Sequence, residues 1–256
     1  MTTTTPQAAE ARATVRAPAT PTGRRIVDAP MRMFHWLFAL SFAGAYLSAE
    51  GEHWRALHIT LGYTMLGLLV ARGVYGLVGP APARLNLLWR KFASAPVWLR
   101  GLLQAPPTAT TWRQGQNLAM AGAVLLLLGL TLPLAASGIA SFHEWGDALG
   151  LTELWEELHE ALGEGLLMVV LAHLGLILTL SLLRRRNLAA PMWSGRVDGV
   201  GPDLVRHNRA GLALLLLAAV LAWGAWEWQQ SPKGLVTPAG LASLGSGQHG
   251  DDDDDD

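Results

Sequence analysis

The sequence predicts an all-α integral membrane protein, a four-helix transmembrane bundle followed by a fifth, C-terminal transmembrane helix. Three observations predict it. Of the 256 residues, 51% are hydrophobic and only 15% are charged, with a mean hydropathy of +0.27, whereas charged residues make up roughly a quarter of a soluble domain. Five apolar stretches come close to the ~20 helical residues that a hydrocarbon core requires. Finally, sixteen of the nineteen Lys and Arg are distributed around those stretches so that all lie on one side of a membrane.

The stretches run approximately from Met31 to Leu47, Ala56 to Val78, Asn117 to Ser137, Leu158 to Leu183 and Ala210 to Trp226. They are rich in Leu, Ala and Gly and lack the period-two alternation of a membrane-spanning strand, so each reads as a helix. Pro133 is expected to bend the third near its end, because proline removes a backbone donor. Eleven tryptophans against three tyrosines fit the lipid interface, where an amphipathic ring is useful. Cysteine is absent, which excludes disulfides, thiolate metal sites and covalent attachment of a c-type haem.

Orientation follows from the basic residues. Arg12, Arg16, Arg24, Arg25 and Arg32 precede or open the first span; Arg84, Arg90, Lys91, Arg100 and Arg113 lie between the second and third. Arg184, Arg185, Arg186, Arg196, Arg206 and Arg209 lie between the fourth and fifth, whereas only Arg55 and Lys233 fall on the other side. A bacterial inner membrane with the N-terminus cytoplasmic and the C-terminal tail periplasmic is therefore expected. Residues 1–23, with no apolar run, read as a disordered cytoplasmic arm rather than a secretory signal. Residues 24–196 form the four-helix core, 197–228 the cytoplasmic connection and fifth helix, and 229–256 an outer tail ending in Asp251 to Asp256. The acidic connection from Ile139 to Glu157 reads equally as a surface-lying amphipathic helix or a solvated loop.

Ionisable groups inside spans are costly and by default mark a functional site. His35 opens the first span, His58 the second and His159 the fourth, with His173 fourteen residues further on. Fourteen residues are about 21 Å of helix and return to nearly the same face. The topology thus yields two pairs, His58 with His159 on the outer side and His35 with His173 on the inner side. Two neutral imidazoles from facing helices satisfy the axial positions of a haem iron. Taken singly, an intramembrane histidine is more often a hydrogen-bonding residue than a ligand; the paired depths favour ligation. Arg72, fourteen residues after His58, faces the inner pair and needs an anion such as a haem propionate, unless it snorkels to the surface. Glu160 and Glu164 have no basic neighbour and are candidate proton acceptors. Glycines 62, 67, 163, 165 and 175 either open room for a flat cofactor or serve close helix contacts. His53, His143, His207 and His249 lie outside the spans and read as bystanders.

Several separated motifs resemble the prokaryotic cytochrome b561 family, which includes the b-type cytochrome subunits of nickel–iron hydrogenases. They are Asp28-Ala-Pro-Met-Arg-Met-Phe-His-Trp, His58-Ile-Thr-Leu-Gly-Tyr and Arg72-Gly-Val-Tyr-Gly-Leu-Val-Gly-Pro, then Leu158-His-Glu, Ala172-His173, Ser181-Leu-Leu-Arg-Arg-Arg-Asn-Leu and Met192-Trp-Ser-Gly-Arg196. The resemblance runs from about Arg25 to Arg196. It implies a four-helix core with two non-covalent haem b groups, ligated by His35, His58, His159 and His173. It also implies electron exchange with membrane quinone and with a redox protein partner such as a cytochrome c, dehydrogenase or hydrogenase. The chain departs from the family where many members read Gly-His-Asn-Pro before the third helix; here it reads Gly115-Gln-Asn-Leu118.

The expected function is that of a diheme b-type membrane cytochrome moving electrons between quinone and a protein partner, with the lipid bilayer as solvent and no nucleic-acid partner. Two other classes compete: a His/Glu proton or cation pathway, and a passive membrane anchor for a dehydrogenase. The aspartate tail reads first as a solvated end, and second as an electrostatic guide for a basic partner.

Overall fold

The computed structural model describes residues 23–104, 108–199, 201–231 and 235; the N-terminal arm and the Asp251–Asp256 run lie outside them. In chain order the elements are β1 (Arg24–Arg25), α1 (Ala29–Leu47), α2 (Arg55–Val78), α3 (Leu85–Phe92), α4 (Ala95–Gln104), α5 (Ala109–Phe142), α6 (Thr152–Arg184), α7 (Ala190–Ser194), β2 (Arg196–Val197) and α8 (Ala210–Gln230).

Four helical segments among the described residues are long and apolar enough to cross a membrane: Glu52–Val78, Thr110–Phe142, Thr152–Arg184 and Ala210–Gln230. The helix of the first predicted span, α1, is not among them. It has 19 residues, and Pro30, Arg32 and His35 lower the apolarity of its first two turns. At 1.5 Å per residue, the 34 residues of α5 and 33 of α6 each measure roughly 50 Å, well beyond a ~30 Å hydrocarbon core. The expected third and fourth spans are thus only the apolar middles of longer rods. The α5 helix continues through Pro133 to Phe142.

Two of the connections between the long helices carry short elements of their own. Between α5 and α6 there is no surface-lying helix. A short turn with a 3-10 segment at Asp147–Leu149 joins them, and Glu153, Glu156 and Glu157 ride on the first turns of α6, where carboxylates complement the helix dipole. The connection between α2 and α5, read in the sequence only for its basic residues, holds the short helices α3 and α4. Phe92 of α3 lies against Gly122 of α5, and the Trp98 indole of α4 donates to the Thr111 carbonyl at 2.9 Å. Trp89, Val97 and Leu103 remain exposed beside Arg90, Lys91 and Arg100, a composition suited to the headgroup layer.

Specific bonds fix the antiparallel arrangement. The Asp28 carboxylate caps α1 by accepting from the Met31 N–H at 3.3 Å, with Pro30 in the first turn as helix starts favour. The same carboxylate accepts from the Tyr75 hydroxyl near the end of α2 and from Arg209 Nη1, just before α8, at 3.5 Å. Asp28 is 1% exposed. One buried acid therefore ties the start of α1 to the end of α2 and the start of α8. Arg184, at the end of α6, donates to Gln116 Oε1 of α5 at 3.0 and 2.5 Å. So the residue that departs from the family motif takes an arginine as partner. The α7 turn closes onto α1, where the Trp36 indole donates to the Met192 carbonyl at 3.0 Å. Gly195 there has φ +74, and an added Cβ would stand 2.6 Å from the Val27 carbonyl oxygen; only glycine fits. The β1–β2 pairing, Arg24 with Val197 and Arg25 with Arg196, brings the two ends of the 24–196 segment together.

Asp28→Ala removes a cap and strands a buried tyrosine hydroxyl and an arginine. The expected loss is about 2–3 kcal/mol, visible as a lower thermal midpoint in detergent, while Asp28→Asn, which can still cap and accept, loses less.

Candidate cofactor site between the helices

The helices group as two close hairpins, α1 against α2 and α5 against α6, with α8 against α1. Contact between α2 and α5 joins the hairpins, but α6 approaches neither α1 nor α2 with comparable closeness. Across that gap His58 faces His159, and His35 and His173 lie on the same two sides of it. All four are half-buried.

At one end, the rings of His58 on α2 and His159 on α6 have centroids 5.9 Å apart and planes at 84°. Two imidazoles sharing one metal, with each ligating nitrogen about 2 Å away, place their centroids roughly 6 Å apart. The remaining ring nitrogens are also arranged for ligation. His58 Nδ1 lies 2.8 Å from the Ala45 carbonyl of α1, and His159 Nδ1 lies 3.0 Å from the Leu134 carbonyl of α5. A carbonyl accepts only from Nδ1–H, so this tautomer leaves the Nε2 lone pair free on each ring.

At the opposite end lie His35 on α1 and His173 on α6. Their Nδ1 atoms are buried without a hydrogen-bond partner. Arg72 on α2 is 6% exposed, and its Nη1 is likewise buried and unpartnered. Its guanidinium fits because Gly76, one turn on, has no side chain: a Cβ there would lie 2.9 Å from Nη1. A buried guanidinium with a free donor calls for an anion, and Asp28 already serves three other donors.

Between the two levels lies an apolar layer of Phe42, Met65 and Leu166. Each stands seven residues from the nearest histidine of its own helix: Phe42 from His35, Met65 from His58, Leu166 from both His159 and His173. The layer keeps water from the middle of the bundle and sets the two levels roughly 21 Å apart along the helix axis.

A cavity of about 320 Å³ opens at the His58–His159 end, lined among others by Gly62, Tyr63, Gly138 and Phe142. Of the five glycines that could have made either cofactor room or helix contacts, Gly62 lines this cavity, and Gly67 and Gly175 are exposed. An added Cβ at 62, 67, 165 or 175 meets nothing within 4 Å, and at 163 only Leu134 Cδ1 at 4.0 Å. Glu160 and Glu164 are exposed and do not line the cavity. His53, His143 and His207 are exposed as well, although the Tyr63 hydroxyl comes within 3.5 Å of His143 Nε2 at the cavity mouth. Among the described residues no three His, Cys, Asp or Glu gather as a metal cage. Paired imidazoles without further protein donors suit a metal whose in-plane ligands come from a macrocycle.

Sequence reasoning missed Asp28, Leu134, Ser137 and Gly138. Asp28 carried a readable signal, since Asp-x-Pro before an apolar run is a helix start. Backbone carbonyls such as that of Leu134 carry none.

A helical membrane bundle with two histidine rings facing each other beside a cavity has the makings of a haem-binding membrane protein. A model of the prokaryotic cytochrome b561 family matches residues 26–195, so the chain belongs to that family. It is accordingly a membrane b-type cytochrome of electron transfer that binds haem b. No match is found among curated proteins or solved structures.

Proposed function

We propose that the chain carries two haem b groups and passes electrons between the quinone pool and a protein redox partner. His58 and His159 hold one haem; His35 and His173 hold the other. The observation that carries this reading is the 5.9 Å separation of the His58 and His159 rings, with each Nδ1 held on a backbone carbonyl. When bound, each haem takes up and releases a single electron, and two imidazole ligands leave no open iron position for oxygen. The Nδ1–H donations orient the outer imidazoles and raise their basicity. Arg72 offers its free Nη1 to a propionate of the inner haem, a charge-assisted bond suited to guanidinium. Phe42, Met65 and Leu166 keep the space between the levels dry, which lowers the local dielectric and limits reorganisation around transferred charge.

The polypeptide crosses a bacterial inner membrane five times, α1 included. Its arginine-rich face, with the α1 start, α3, α4 and the α6–α8 connection, is cytoplasmic, so the His58–His159 level is the outer one. Residues 24–196 act as the haem core, with α8 as an added span against α1. The exposed positions of Glu160 and Glu164 speak against the rival His/Glu relay.

The test is anaerobic addition of a short-chain quinol to the purified chain. The expected result is prompt appearance of the reduced haem α-band, reversed by an oxidised basic cytochrome c. A spectrum unmoved by quinols of either high or low potential, in a chain that dithionite reduces fully, rules out the quinone assignment.

A further inference from the structure

Helix α5 supplies no histidine, yet three residues of one of its turns meet the His159 ring. We infer that its turn from Leu134 to Gly138 is a positioning saddle for His159, and that Gly138 is the residue that makes it possible; this rests on the diheme reading above.

Three observations on that turn converge on one ring. The Leu134 carbonyl lies 3.0 Å from His159 Nδ1. Ser137, 1% exposed, places its Oγ 3.4 Å from the same nitrogen while donating to the Leu134 carbonyl at 3.0 Å. At Gly138, an added Cβ would stand 2.7 Å from His159 Cε1, 2.9 Å from Nδ1 and 3.5 Å from Nε2. The Cε1–Nδ1 edge of the imidazole points at the glycine, in the volume any other side chain would take. Nothing about the backbone asks for glycine, since Gly138 sits inside a regular helix where alanine is ordinarily the better helix former. The ring's access is therefore what the missing Cβ supplies. Elsewhere on α5, Gly129 has no atom within 4 Å of an added Cβ and serves as an internal comparison.

The saddle does two things to His159. It fixes the ring plane against α5, and it fixes the proton on Nδ1, so that Nε2 is the ligating atom. Gly138→Ala moves the ring off the Leu134 carbonyl and away from its partner His58.

The experiment compares Gly138→Ala, Gly129→Ala and Ser137→Ala in the full-length chain by pyridine haem count, low-temperature EPR and redox titration. Gly138→Ala is expected to weaken haem retention at one site roughly 10–100-fold, so the purified chain approaches one haem and one low-spin signal disappears or moves. Gly129→Ala keeps both haems and both signals. Ser137→Ala keeps both haems but shifts one midpoint and leaves the other. Should Gly138→Ala fold poorly, the same change in a His159→Ala background decides: removal of the imidazole is expected to erase its effect on thermal midpoint and yield. A penalty that persists without His159 makes Gly138 a plain helix contact and overturns the inference. So does a Gly138→Ala chain with two haems and unaltered spectra. A wild-type chain lacking bis-imidazole haem would instead overturn the diheme reading itself.

Discussion

His58→Ala leaves a chain that folds, inserts and retains about one haem instead of two, with electron flow from quinol to the protein acceptor abolished. The expectation combines two magnitudes. The bond from His58 Nδ1 to the Ala45 carbonyl is one neutral hydrogen bond, so its loss lowers stability by only about 1 kcal/mol. The iron at that level, by contrast, loses one of its two protein ligands, and no third histidine lines the cavity to replace it. The second level, about 21 Å away along the axis and separated by Phe42, Met65 and Leu166, keeps its haem. His53→Ala, five residues earlier and exposed, retains both. Pyridine haem counts on the two purified variants check the expectation. Two haems in His58→Ala would show that this residue is no ligand, whatever its distance from His159.

Arg72→Leu lowers the midpoint of one haem by about 50–100 mV and the other by much less. A cation near a haem stabilises the reduced form, which carries one more negative charge, so its removal makes reduction harder. At an effective dielectric near 20, a unit charge several ångströms away is worth about 1–3 kcal/mol. For a one-electron couple 59 mV corresponds to about 1.4 kcal/mol, and partial compensation by the propionate keeps the shift at the lower end. Arg72→Lys, which preserves the charge but not the planar fork, recovers most of the midpoint. The check is a potentiometric titration of both variants. Unchanged midpoints in Arg72→Leu, with a chain that melts higher because a buried uncompensated charge is gone, would make Arg72 a structural or snorkelling residue instead.

The helices were legible, and the approach of His58 to His159 could be anticipated, because both depend on periodicities that the chain displays. Apolar length located α2, α5, α6 and α8, and a fourteen-residue interval put His159 and His173 on one face. The same interval put Arg72 on the His58 face of α2, one turn before Tyr75, whose hydroxyl bonds to Asp28 at the start of α1. What stayed hidden depends on backbone atoms and missing side chains. No residue type announces that the Leu134 carbonyl will meet an imidazole 25 positions later. The five glycines left open between cofactor room and helix contact have no tight neighbour, whereas the tight one, Gly138, sits in an ordinary Leu/Ala/Gly run. The acidic stretch after Ile139 looked independent because its charges break the apolar run; they extend α6 instead, as first-turn carboxylates favour helix formation.

The measurement closest to the central claim is EPR of the fully oxidised, purified full-length chain, with spins counted against protein. Two low-spin ferric signals of bis-imidazole character, together about two spins per chain, are the expected result. A high-spin signal, or a single low-spin species at about one spin per chain in a fully loaded preparation, would contradict the pairing of histidines at two depths.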